Sequence, residues 1–186
     1  ALSDKLAALE EVLDLDAAAG VQLAVGQPAL LTVDIKARLP PLLRFLDEYM
    51  EEDGAGRRLV LAQPTLGTST AAAVERKIGS LAARGYSQQD IQSKVNKQHV
   101  ILTLDLGSPV FQQKLDWIER VSPWTLDDFL DVPRYLLAST RRLAARLALL
   151  QYCELQPPPT PAVLVIYSNS RFMAFVCKQL EKQGWE

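Results

Sequence analysis

The chain has 186 residues, 48% of them hydrophobic and 23% charged, the profile of a folded domain or short array and not of a disordered tail. Lys and Arg number 20 against 22 Asp and Glu, and the net charge of -2 excludes a histone-like or strongly basic ribosomal type. With 2 cysteines and 1 histidine there is no four-ligand zinc site and no dense disulfide framework, which points to a reducing compartment, and no apolar run approaches the roughly 20 residues of a bilayer span.

The chain opens at Ala1 without an initiator Met, so a removed targeting segment or a longer parent chain is expected. Leu6 to Leu13 has the pattern of the late helix of a repeating unit, so the chain is expected to start inside one. The repeat itself shows first at Gln27-Pro28-Ala29-Leu30-Leu31-Thr32. It recurs as Gln63-Pro64-Thr65-Leu66-Gly67-Thr68, as Gln98-His99-Val100-Ile101-Leu102-Thr103, and more weakly as Pro133-Arg134-Tyr135-Leu136-Leu137. The anchors Pro28, Pro64, His99 and Pro133 are about 35 residues apart. After each comes an apolar stretch with helical spacing: Leu39 to Leu46, Val74 to Leu81, Phe111 to Ile118 and Leu143 to Leu150.

Ser87-Gln88-Gln89-Asp90 and Thr125-Leu126-Asp127-Asp128 predict the starts of shorter helices before the anchors, a hydroxyl capping a backbone N–H with an acid in the first turn. Gly85-Tyr86 and Ser122-Pro123-Trp124 are the expected breaks. Val100 to Leu104 and Val163 to Tyr167 carry strand-like residues but no partner of matching period, and read as turns or core-facing helix. Gly54-Ala55-Gly56-Arg57-Arg58 reads as a turn, since it lacks the Lys-Ser/Thr ending of a phosphate loop. The proline run Pro157-Pro158-Pro159-Thr160-Pro161 divides the chain into a helical repeat array at 1–156, of about four units with the first partial, and a terminal segment at 157–186 with a capping helix from Phe172 to Gln183. The predicted fold class is all-α.

This frame of a proline followed by leucines at heptad spacing resembles the mitochondrial transcription termination factor (mTERF) family. Pro133, Leu136, Leu143 and Leu150 form the clearest unit. Pro64, Val74 and Leu81 keep the frame with Gly67 where the first leucine is expected, and Pro28 and Leu31 keep it with Leu39 and Leu46 one residue late. Gly85 to Ile91 is similar to the start of the family's first repeat helix, and Leu164 to Phe172 to its closing segment, with Asn169 where an acid is more usual; His99 departs from the proline. The resemblance implies a right-handed α-solenoid of stacked repeats that binds nucleic acid in organellar gene expression, in a mitochondrion or, as second choice, a chloroplast. Tetratricopeptide repeats have a similar period, but their Trp, Leu-Gly and Tyr signature is absent; pentatricopeptide repeats would not place a proline before each apolar stretch.

The candidate nucleic-acid contacts are Lys36 and Arg38, Arg76 and Lys77, Lys114, and Arg141, Arg142 and Arg146, which would form a basic stripe if the late helices stack in register. The bland alternative is that these cations solvate amphipathic helices. Residues 1–60 carry a balance of -5 and residues 61–186 one of +3, so a polyanion would meet the later part first. Gln27, Gln63 and Gln98 are expected to cap helices and His99 to pack. Trp117, Trp124, Tyr86 and Tyr135 are expected in the core, and Cys153 and Cys177 are read as buried thiols. No catalytic residue, metal or cofactor is expected. A net charge of -2 favours structured RNA, above all ribosomal RNA bound within a larger assembly with protein neighbours, over a duplex-DNA terminator of transcription that holds its ligand unaided. No membrane partner is expected.

Overall fold

The computed structural model describes residues 1–184. The protein is all-α, and among the described residues there is no strand. It forms two compact units, Ala1–Gly107 and residues from Ser108 onward.

In the first unit α1 spans Leu2–Leu13, α2 Ala17–Gly26, α3 Ile35–Met50, α4 Ala55–Ala62, α5 Ala71–Ala82 and α6 Gln88–Lys97. A five-residue 3-10 helix follows each of the shorter helices α2, α4 and α6, at Pro28–Thr32, Pro64–Thr68 and His99–Thr103. In the second unit α7 spans Pro109–Val121, α8 Leu126–Leu130, α9 Thr140–Tyr152, α10 Ala162–Ile166 and α11 Asn169–Lys182, with a 3-10 helix at Pro133–Leu137 between α8 and α9. The residue before each 3-10 helix has nearly the same backbone: φ/ψ of -138/77 at Gln27, -135/80 at Gln63, -143/78 at Gln98 and -133/77 at Val132. His99 therefore fits where the other copies have proline. The first N–H of a helix lacks an intrahelical partner in any case, so losing it to proline or keeping it in histidine changes little.

Each apolar stretch lies inside a long helix and faces the core. Leu39, Leu42 and Leu46 of α3, Val74 and Leu81 of α5, Leu115 and Ile118 of α7, and Leu143, Leu147 and Leu150 of α9 are buried. Gly67 takes a leucine's place because a Cβ there would stand 2.8 Å from Leu30 Cδ2, whose side chain fills the space. The 3-10 helices close themselves alike in the first unit: Thr32, Thr68 and Thr103 donate Oγ1–H to the carbonyls of Ala29, Thr65 and Val100, each at 2.7 Å. Ser87 and Thr125 start α6 and α8 through capping boxes with Asp90 and Asp128, and Gly85 breaks the chain at φ 93°.

Some expectations need correction. Gly54 to Arg58 is the beginning of a helix, not a turn: Gly54 is the left-handed N-cap and Ala55 to Arg58 form the first turn of α4. No correction is needed for Val100 to Leu104, which falls largely in the third 3-10 helix, or for Val163 to Ile166, which α10 carries, both having been read as turns or helix. The last helix begins at Asn169, three residues before the expected Phe172, because Ser168 accepts the Arg171 N–H as N-cap. Cys177 is exposed on α11 and Cys153 only half-buried, so neither is a core thiol.

Candidate nucleic-acid interface

Five basic side chains share one arrangement. Each leaves a long helix and donates to main-chain carbonyls at or just past the end of the next 3-10 helix along the chain, or, for Arg146, of α10. Lys5 of α1 donates to the carbonyls of Leu31 and, at 3.4 Å, Val33. Arg38 of α3 reaches Thr68 O at 2.8 Å, and Lys77 of α5 reaches Leu102 O at 2.9 Å. In the second unit Lys114 of α7 donates to Leu136 O and, at 2.6 Å, to Ala138 O. Arg146 of α9 donates to Leu164 O at 2.9 Å, Tyr167 O at 2.8 Å and Asn169 Oδ1 at 2.7 Å, with its guanidinium over the Phe172 ring. The last carbonyls of a helix lack intrahelical partners and carry its negative end, so a cation there satisfies acceptors and meets favourable charge.

These clasps account for four of the eight candidate contacts: Arg38, Lys77, Lys114 and Arg146. Lys114 is 7% exposed and Arg146 5%. Burial pushes the pKa of Lys114 down, and that of Lys77 down against the raising effect of Asp105. Burial, and secondarily the charge of Arg142, lowers that of Arg146. Replacing Lys114 with methionine leaves two buried carbonyls without their donor and should destabilise the protein by about 2 kcal/mol. Urea unfolding beside Arg141→Ala, which should stay within roughly 0.5 kcal/mol of the parent, measures the difference.

The other four candidates lie on the surface. Lys36 pairs with Glu11 at 2.5 Å, and Arg142 donates to Val165 O at 3.1 Å. Arg76 and Arg141 are exposed on α5 and α9. Arg44, Lys97, Arg120 and Arg134, none of them among the candidates, are exposed too. The surface thus offers separate cations to solvent in each unit, while the buried cations are used by the fold.

Every clasp sits three residues after one apolar side chain and four before another: Leu2 and Leu9 around Lys5, Ile35 and Leu42 around Arg38, Val74 and Leu81 around Lys77, Phe111 and Ile118 around Lys114, Leu143 and Leu150 around Arg146. That spacing puts the cation on the apolar face. It is the signal that separates clasps from solvated cations, and Lys5, never a candidate, carries it too.

Gln27, Gln63 and Gln98 are C-caps of α2, α4 and α6, but through the main chain, their N–H groups donating to Leu23 O, Leu59 O and Lys94 O. The Gln63 amide turns to Thr65 Oγ1 at 2.6 Å. Trp124 and Tyr135 are buried as expected; Trp117 and Tyr86 are half-buried. Among the described residues no group of three or more His, Cys, Asp or Glu could hold a metal ion, and no helix is long and apolar enough to cross a membrane. Compared with protein-family models and with curated proteins, the chain matches none.

Proposed function

We propose that this chain is a non-catalytic, mTERF-like helical-repeat protein, a right-handed α-solenoid of units of about 35 residues that binds structured RNA, with ribosomal RNA favoured, as a component or assembly factor of an organellar ribosome in the mitochondrion. The observation that carries the reading is the recurrence of a short helix, a 3-10 helix and a long helix with one backbone geometry at Gln27, Gln63, Gln98 and Val132. A unit of this kind cannot bury its apolar face alone, and stacked units make an extended surface suited to a long ligand.

RNA within an assembly is favoured over an unaided grip on duplex DNA because four of the eight candidate cations are held by backbone carbonyls and the net charge is -2. Fewer phosphate contacts remain for an unassisted binder. The acids Glu48, Glu51, Glu52 and Asp53 around the end of α3 suit protein neighbours.

Binding of the purified chain to an RNA stem–loop and to a DNA duplex, followed over a range of salt, tests this. Tighter binding to the stem–loop is expected. Arg76→Glu with Arg141→Glu should make the salt dependence shallower by about two in log–log slope, with the helical circular dichroism unchanged. An unchanged slope would remove these arginines from the interface, and preference for the duplex would make the chain a transcription regulator instead.

A further inference from the structure

The third 3-10 helix keeps the backbone of its neighbours although histidine replaces proline, so the imidazole is not there to shape the turn. Around it stand cations that the clasps do not use. Arg58 of α4 donates one arm to Asn96 Oδ1 at the end of α6, at 3.2 Å, and the other to Glu52 Oε2 at 2.7 Å. Lys97 is the last residue of α6, exposed, two positions before His99. Lys97 directly follows Asn96, the residue that Arg58 reaches, and His99 stands two positions further on and within the field of Arg58, so the three basic residues belong to one stretch of surface where Glu52 pairs with Arg58.

We propose that Arg58, Lys97 and His99 form a binding site for a backbone phosphate of the RNA ligand, an inference that rests on the reading of the chain as an RNA binder. The Arg58 fork supplies paired donors to phosphate oxygens, Lys97 a mobile point charge, and His99 a third donor once protonated. None of the three belongs to the stripe inferred from the late helices. They lie on the short helix and at the turn after it.

In the free protein burial first, and then the charge of Arg58, hold the His99 pKa below its ordinary value. A phosphate reverses the local sign of charge and favours the imidazolium. Binding should therefore raise the pKa, and affinity should grow as pH falls through the interval between the bound and free values. The charge that acts on His99 is that of Arg58 of α4, which Glu52 pairs on its other side. Lys94 of α6 is turned over the Tyr86 ring, and Lys77 of α5 is held by Leu102 O.

His99 is the 1 histidine of the chain, so its ring resonances report without ambiguity. The full chain, isotope-labelled, is titrated with pH in the presence and absence of an RNA stem–loop, with affinity measured in parallel by fluorescence anisotropy. The expected result is a shift of the His99 ring signals on binding and a raised pKa. Arg58→Gln and, independently, Lys97→Gln should weaken binding, Arg58→Gln by roughly tenfold, and Glu52→Gln should tighten it. If the stem–loop binds while the His99 signals and pKa stay where they were, the phosphate site is wrong and the RNA reading stands. If the stem–loop does not bind at all, both fall.

Discussion

Replacing Arg146 with methionine should lower the stability of the second unit by about 3 kcal/mol. The side chain is 5% exposed and donates to two main-chain carbonyls and the Asn169 amide oxygen, which join α9 to both ends of the turn between α10 and α11. Methionine restores the apolar volume and no donor, so acceptors buried by the fold lose their partner. Arg146→Lys keeps the charge but replaces a planar fork by a point charge, and should recover only part of the loss. Thermal unfolding followed by circular dichroism reads the difference as a fall of roughly 15 °C for methionine, given the unit's size. A shift of only a degree or two would show that water replaces the guanidinium and that the clasp contributes little.

The second large effect is expected of Gly56→Ala, where helix propensity alone points the other way. Alanine inside a helix is favoured over glycine by up to about 1 kcal/mol. At Gly56, however, a Cβ would stand 2.5 Å from Leu43 O and 2.8 Å from Leu43 Cα, which are backbone atoms of α3 and cannot swing aside. α3 and α4 would have to separate, loosening the bond from the Gly56 N–H to Asp47 Oδ1, now 2.7 Å. A loss of about 3 kcal/mol is expected. Gly79→Ala is the matched control: Gly79 lies inside α5 with nothing within 4 Å of the added carbon, so that substitution should stabilise by roughly 0.5–1 kcal/mol. Urea midpoints that move in opposite directions for the two variants bear out the contact; the same direction for both contradicts it.

Much of the helical organisation was legible in the amino-acid sequence because it depends on short-range chemistry. The anchors, the long helices and the capped starts at Ser87 and Thr125 follow from proline, apolar spacing and hydroxyl caps, all read within a few residues. α2 was not legible: Ala17 to Gly26 has Gln22 as its one polar side chain, so no period separates an inner from an outer face. Nor was α4, whose glycines and paired arginines look like a turn until Gly56 is seen against Leu43. For the candidate contacts the difficulty was of another kind. Arg38 and Lys36 differ little in type and position, and what separates them is the face of the helix they leave from; Arg142 and Arg146 share a face of α9, and what separates them is that apolar side chains flank Arg146 on both sides. The three-before, four-after apolar frame around each clasp carries that information, but only the carbonyls of a later segment give the cation a reason to be on the apolar side. Proline run and anchor also overlap: Pro161 precedes α10, whose Leu164 carbonyl meets Arg146 as the Leu136 carbonyl meets Lys114, so Pro161 stands in the place of a further anchor.

Sedimentation of the tagged protein from a mitochondrial lysate through a density gradient, with and without RNase and with sequencing of the retained nucleic acid, tests the central claim most directly. The proposed function predicts co-migration with a ribosomal particle, release by RNase and recovery of one ribosomal RNA region. Migration as a small RNase-insensitive species, with organellar DNA recovered at a discrete site, would contradict it.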